Sequence, residues 1–173
     1  RRHVSKAQEL AQTNDPQQLS AAVEQMGQIN PETYAWADAQ PELNRWGKIL
    51  FAFGTEQWRQ GKLDNAILIA ERLAFIQSVS QEARHLKHLS QAGKLAIATE
   101  QSWRPSPSHL LDLMEAMAAT RQIPPESQFY PQAQADLKRW EAQFKDVTHL
   151  QIAQLTASLG LPNSFDLAIM LAQ

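Results

Sequence analysis

Ile123-Pro-Pro-Glu-Ser-Gln-Phe-Tyr-Pro-Gln-Ala-Gln-Ala-Asp-Leu-Lys-Arg-Trp140 is the stretch that decides the fold, because the chain says nearly the same thing at residues 29–46. Shifted back by 94 residues, Ile123 falls on Ile29, Pro125 on Pro31, Glu126 on Glu32 and Ser127 on Thr33. Tyr130 falls on Trp36, Ala133 on Ala39, Leu137 on Leu43, Arg139 on Arg45 and Trp140 on Trp46. The shift is twice 47, and a worn third copy stands midway: Ala70–Ile76 ends 47 residues after Ile29 and 47 before Ile123. A period of this size marks an array of helical units, each of which buries its apolar face against the next. The expected fold is therefore all-α: an α-solenoid of antiparallel helical hairpins with a repeat of about 47 residues and no β-sheet. It forms one domain over 1–173, with units near 16–60, 61–104 and 105–160 and partial units at 1–15 and 161–173.

Read in order, residues 3–13 resemble the tail of a helix. Asp15-Pro16-Gln17-Gln18 is a start signal, with Asp as N-cap, Pro in the first turn and Gln three residues on. Leu19, Ala22, Val23, Met26 and Ile29 form an apolar stripe at helical spacing, and Asn30-Pro31 ends it. Residues 32–40 read as a loop or short turn, and Pro41 as the first residue of a helix that reaches Gly61 with Leu43, Trp46, Ile49, Leu50, Phe53 and Trp58 inward. The next helix spans Leu63–Gln77, with Ala66, Ile67, Ala70, Leu73 and Phe75 or Ile76 inward. A long helix follows at 80–103, facing in through Ala83, Leu86, Leu89, Leu95, Ile97 or Ala98, and Trp103, with Leu89 in the place of Trp46. Pro105-Ser106-Pro107-Ser108 breaks the chain and caps a helix to Arg121. Residues 131–159 are one helix or two joined by a kink; Gly160 and Pro162 end it, and Asn163-Ser164 caps a last helix.

Two resemblances follow from these residues. Gly61-Lys62-Leu63-Asp64-Asn65-Ala66-Ile67 resembles a tetratricopeptide hairpin over about Ile49–Ile76, where small Gly54, Ala66 and Ala70 let helices approach, although the 47-residue interval exceeds the usual spacing. The run from Leu110 through Ile123-Pro124-Pro125 to Leu137-Lys138-Arg139-Trp140, then Phe144-Lys145-Asp146-Val147 and His149-Leu150, resembles a cyanobacterial family of membrane-anchored helical-repeat proteins often labelled chromosome-segregation-ATPase-like. Leu19–Trp46 matches the same pattern, with Asn30-Pro31 for the proline pair; the middle copy departs from it, with no Pro pair and Leu89 for Trp. The resemblance implies a repeat region tethered to a membrane by segments outside this chain, on the extracytoplasmic side. It implies no ATPase, since the chain lacks Gly-x-x-x-x-Gly-Lys-Ser/Thr.

Composition narrows the function classes. A net charge of −2 with scattered Lys and Arg argues against nucleic acid as partner. No apolar run approaches the roughly 18 residues of a membrane span, so this stretch does not itself insert. With zero Cys there is no thiol nucleophile, disulfide or thiolate metal site. His85 and His88, three apart with Glu82 a turn earlier, suggest a metal pair but read better as ordinary surface histidines. Asp15, Asp64 and Asp112 read as capping or first-turn residues. Asp38, Glu42 and Glu56 offer carboxylates with nothing to single them out. No Gly-x-Ser-x-Gly elbow occurs. No cofactor, metal or catalytic residue is expected.

Trp46 and Trp140 read as anchors between hairpins. Tyr34, Trp36, Phe129 and Tyr130 lie in the repeated loop. They either staple the hairpin end or form an aromatic binding edge. The expected function is a non-enzymatic scaffold that docks a protein or peptide partner. The alternative is an envelope-associated module for glycan or peptidoglycan, with aromatics stacking on sugars and Gln bonding hydroxyls. Apolar strips at either end of the array also suit self-association.

Overall fold

The computed structural model describes residues 5, 7–9, 15–30, 32–102 and 106–158. Six helices carry most of them: α1 (Pro16–Gly27), α2 (Tyr34–Arg59), α3 (Leu63–Arg72), α4 (Ser80–Glu100), α5 (Pro107–Thr120) and α6 (Tyr130–Ser158). Ser5 and residues 7–9 are also helical, and no strand occurs among the described residues. The fold is all-α. The chain divides into two compact units, Arg1–Ser90 and Gln91–Gln173, with the division inside α4. The last helix read from the sequence, Trp103, Gly160 and Pro162 lie outside the described residues.

In the first unit, Asp15 caps α1 in an extended conformation and accepts from the Gln17 N–H at 3.5 Å. Leu19, Ala22, Val23 and Met26 are fully buried, as their spacing requires, and α1 packs on α2. Helix α2 starts at Tyr34, not at Pro41, so the expected loop at 32–40 is mostly helix. Proline in the second turn removes one N–H and leaves the carbonyl of residue 37 without its helical partner. Ala37 is exposed, so water can serve that carbonyl, and burial of Ala39 holds the first turn in place.

Gly61 ends α2. Its φ of 73° is costly for any residue with a Cβ. Its N–H bonds the Trp58 carbonyl and the Lys62 N–H bonds the Gln57 carbonyl, both at 2.9 Å, which is the Schellman closure. The chain then folds back as α3. A Cβ on Gly54 would lie 2.9 Å from Ile69 Cγ2, so the missing side chain sets the α2–α3 approach.

Helix α3 stops at Arg72 rather than Gln77. Beyond it the chain tightens into successive i→i−3 bonds: Ala74 to Glu71, Ile76 to Leu73 and Val79 to Ile76, at 3.0–3.2 Å. Three-residue turns bring every third side chain to one face, and Leu73, Ile76 and Val79 are all buried while Phe75 turns outward.

Helix α4 corrects the expected inward set. Ala83, Leu86 and Leu89 are buried, but past Ser90 the buried residues are Ala92, Ala96 and Thr99, and Ile97 and Ala98 are exposed. The physical reason is bulk across the interface. In the second unit Ala92 and Ala96 pack with Leu113, Ala116, Met117 and Trp140, and the indole fills the room that small residues leave. Ser106 and Pro107 open α5 as expected. Ser106 N–H donates to His109 Nδ1 at 2.8 Å, a capping box with an imidazole in place of the usual Glu or Gln. Helix α6 runs unbroken, since neither Gly nor Pro follows Pro131 within it.

The two hairpins close their turns with the same hydrogen bonds. Ile29 N–H bonds Met26 O at 3.0 Å and Ile123 N–H bonds Thr120 O at 3.1 Å. Thr33 bonds Asn30 O at 3.1 Å, and Ser127 bonds Pro124 O at 3.0 Å. Trp36 bonds Thr33 O and Tyr130 bonds Ser127 O, both at 3.0 Å. Each pair is 94 residues apart. Midway, Ile76 bonds Leu73 O at 3.0 Å. Met26, Leu73 and Thr120, spaced by 47, are all fully buried.

Candidate partner-binding face

Trp46 and Trp140 are buried, 6% and 1% exposed, at matching places in α2 and α6. The Trp140 Nε1–H finds no acceptor among the described residues. Its indole therefore contributes through packing, with the Arg139 guanidinium 6.0 Å from the ring centroid.

The four loop aromatics part company. Tyr34, the first residue of α2, is 93% exposed. Trp36 is half-buried, its ring 6.0 Å from that of Phe75 and tilted by 42°. Phe129 is 2% exposed. The Phe129 N–H bonds Ser127 Oγ at 3.2 Å, and its carbonyl accepts from Ala133 at 2.9 Å. Phe129 therefore belongs to the core of its unit and not to an exposed edge. Tyr130, the first residue of α6, is half-buried. Positions two apart on a helix point to opposite sides, so Tyr34 and Trp36 make no open strip, and Phe129 is buried beside Tyr130, so that pair makes none either.

The contacts of Arg72 and of the partly exposed Phe75 with the first hairpin mark a face that sequence reading missed. Arg72 Nη1 donates to Ser20 Oγ, and its guanidinium lies 3.6 Å from Glu24. Phe75 sits 3.1 Å from where a Cβ on Gly27 would be, and Ile76 3.0 Å from one on Gly47. Thus α3 and its following turn cover the side of α1 that carries Ser20, Glu24 and Gly27. Beside them lies a cavity of about 200 Å³ lined by Gln17, Phe53, Asn65 and Leu68, and by none of the four loop aromatics.

In the second unit the same positions on α5 read Leu111, Met114 and Ala118 for Gln17, Ser20 and Glu24. Leu111 is 66% exposed and Met114 52%. Arg121 and Glu141 stand for Gly27 and Gly47, and they pair at 2.9 Å. The one signal in the sequence was the exchange of polar and glycine positions for apolar and charged ones between copies.

The remaining candidate side chains are placed as follows. His85 is buried rather than at the surface; its Nδ1 lies 3.5 Å from Glu82 Oε1 and has no hydrogen-bond partner among the described residues. His88 is half-buried; desolvation first, then His85, Lys87 and Arg84 beside it, push its pKa below the ordinary value. No group of three or more His, Asp or Glu able to hold a metal occurs among the described residues. Glu42 accepts from Gln8 at 3.0 and 3.1 Å, and Glu56 accepts from Gln60 at 2.9 Å and faces Arg59. No described helix is long and apolar enough to cross a membrane. No protein-family model, curated protein or solved structure matches the chain.

Proposed function

We propose that the chain is a non-enzymatic protein-interaction scaffold: an α-solenoid of antiparallel hairpins with a repeat of about 47 residues, part of a larger membrane-tethered protein. The observation that carries this reading is the recurrence of one turn geometry. The same hydrogen bonds close the chain at Ile29 and Ile123, with the same bond at Ile76 between them. A repeat that folds in a fixed register is the unit of a solenoid, and solenoids serve as extended docking surfaces. Exposed Leu111 and Met114 support a protein partner, since a contiguous apolar patch on a helix is costly in water unless something covers it.

The test is cross-linking mass spectrometry of the full-length protein in its native cells. The scaffold reading expects a protein cross-linked to α5, and loss of that link in the Leu111→Glu/Met114→Glu double variant at unchanged melting temperature. Links scattered evenly over the surface and indifferent to the variant contradict it.

A further inference from the structure

We propose that the cavity between α1, α2 and α3 binds a small aliphatic carboxylate, with its carbon chain between Phe53 and Leu68 and its carboxylate on Arg72 and Ser20. The site lies wholly within the first unit and goes beyond the scaffold reading, which places its partner on α5. The cavity holds about 200 Å³, room for a chain of roughly six heavy atoms. Its floor is apolar, with Phe53 from α2 and Leu68 and Ile69 from α3. Leu68 is 53% exposed, so a carbon chain laid against it removes apolar surface from water. A largely apolar cleft with a few fixed polar groups is the ordinary make-up of a small-molecule site.

The polar wall fixes the chemistry of the head group. Gln17 and Ser20 from α1 and Asn65 and Arg72 from α3 line it, and no carboxylate among the described residues does. Two of these groups are held by buried partners. Arg72 Nη1 donates to Ser20 Oγ, and Ser20 is 5% exposed. Asn65 Nδ2 donates to Gln57 Oε1 at 3.1 Å, and Gln57 is 6% exposed. Because Ser20 Oγ accepts from Arg72, the Ser20 O–H is left to donate. Glu24 stands 3.6 Å from Arg72 Nη2, longer than an N–H···O bond, so guanidinium N–H groups are left as well. Beside Arg72 the cavity therefore offers donors around a fixed cation, which a carboxylate satisfies and a neutral amide does not. Helix α5 carries Leu111 and Met114 in the places of Gln17 and Ser20, so it lacks these donors.

Nuclear magnetic resonance titration of the nitrogen-15-labelled whole chain tests this. The probe is sodium 4-methylpentanoate; 4-methylpentanamide and acetate are the controls. The proposal expects saturable shifts at residues 17–24 and 65–72, and affinity at least tenfold higher for 4-methylpentanoate than for either control. Arg72→Leu should weaken binding at least tenfold. Glu24→Gln removes a competing carboxylate and should strengthen it at least twofold. Arg72→Leu also cuts a tie between α3 and α1, so Glu24→Gln keeps the test decisive if the first variant does not fold. A further arm compares the free acid with the peptide Gly-Ser-Gly-Leu. Tighter binding of the peptide assigns the site to a chain terminus and tighter binding of the acid to a free metabolite; either upholds the carboxylate. No saturable shift, equal binding of acid and amide, or affinity unchanged by Glu24→Gln and by a folded Arg72→Leu overturns the proposal. Its failure leaves the α5 cross-link, and with it the scaffold reading, to stand or fall separately.

Discussion

Arg121 pairs with Glu141 at 2.9 Å in the place where, 94 residues earlier, Gly27 and Gly47 face a phenylalanine and an isoleucine. One backbone register thus carries opposite surface chemistry in its two copies. Both charged side chains are about half exposed, and such pairs contribute roughly 0–1 kcal/mol. Arg121→Ala and Glu141→Ala should each lower stability by less than about 1 kcal/mol, read from urea midpoints. A loss above that range in either variant would show that the pair holds the hairpin together.

Gly54 is the reverse case. Glycine to alanine inside a helix usually adds about 1 kcal/mol of stability. Here the new Cβ would stand 2.9 Å from Ile69 Cγ2 and 3.3 Å from Leu86 Cδ2. The Ile69 methyl is on a β-branched side chain, close to its backbone, and has little freedom to give way. Gly54→Ala should therefore destabilise by about 1–3 kcal/mol. A raised melting temperature would mean that α2 and α3 are farther apart than described.

The aromatics separate by burial. Trp140→Ala should cost about 3–5 kcal/mol, the range for deleting a buried large aromatic. Tyr34→Ser, at a 93% exposed position, should stay within about 0.5 kcal/mol. Trp36→Ser should fall between them, at roughly 1–3 kcal/mol, because it loses the Phe75 contact. Chemical denaturation of the three variants ranks them. A Tyr34 variant as damaging as Trp140→Ala would contradict the placement of both rings.

His88 gives the chain a pH dependence of known sign. Its folded pKa lies below the ordinary histidine value of 6.5. The unfolded chain therefore binds the proton more tightly. The associated stability is fully present above pH 6.5 and is lost as pH falls through the depressed folded pKa. His88→Gln should flatten the fall in melting temperature on that acid side and leave the value near pH 8 little changed. An unaltered slope would show that His88 titrates as it does in the unfolded chain.

Helix starts were legible because their signals are local. Asp15-Pro16 and Ser106-Pro107 each place a cap and a first-turn proline side by side, and both open helices as read. Pro41 misled because a proline marks a first turn more often than a second. The later copy has Ala135 there, and its helix starts at Tyr130, the counterpart of Trp36. The inward face of α4 past Ser90 was legible only in part: Leu95 packs against the core as read, but Ile97, which outranks Ala92 and Ala96 in hydropathy, is exposed. Only the neighbouring bulk of Trp140 explains why the alanines face in. Phe129 and Tyr130 are chemical near-equals in sequence; which one is buried depends on where α6 begins. The contrast between the α1 and α5 faces needed both copies folded before Ser20 and Met114 could be compared.

The most direct test of the repeat is a segment exchange. Residues 29–46 are replaced by the 18 residues of Ile123–Trp140 in the full chain, leaving Gly27, Gly47, Arg121 and Glu141 untouched. If the two stretches are one structural unit, the chimaera keeps its helical circular dichroism and melts cooperatively. Its melting temperature should fall by no more than about 8 °C, the equivalent of roughly 2 kcal/mol at this size. Loss of helical signal or of a cooperative transition would contradict the account, since two segments that share hydrogen-bond register and core positions must be able to stand in each other's place.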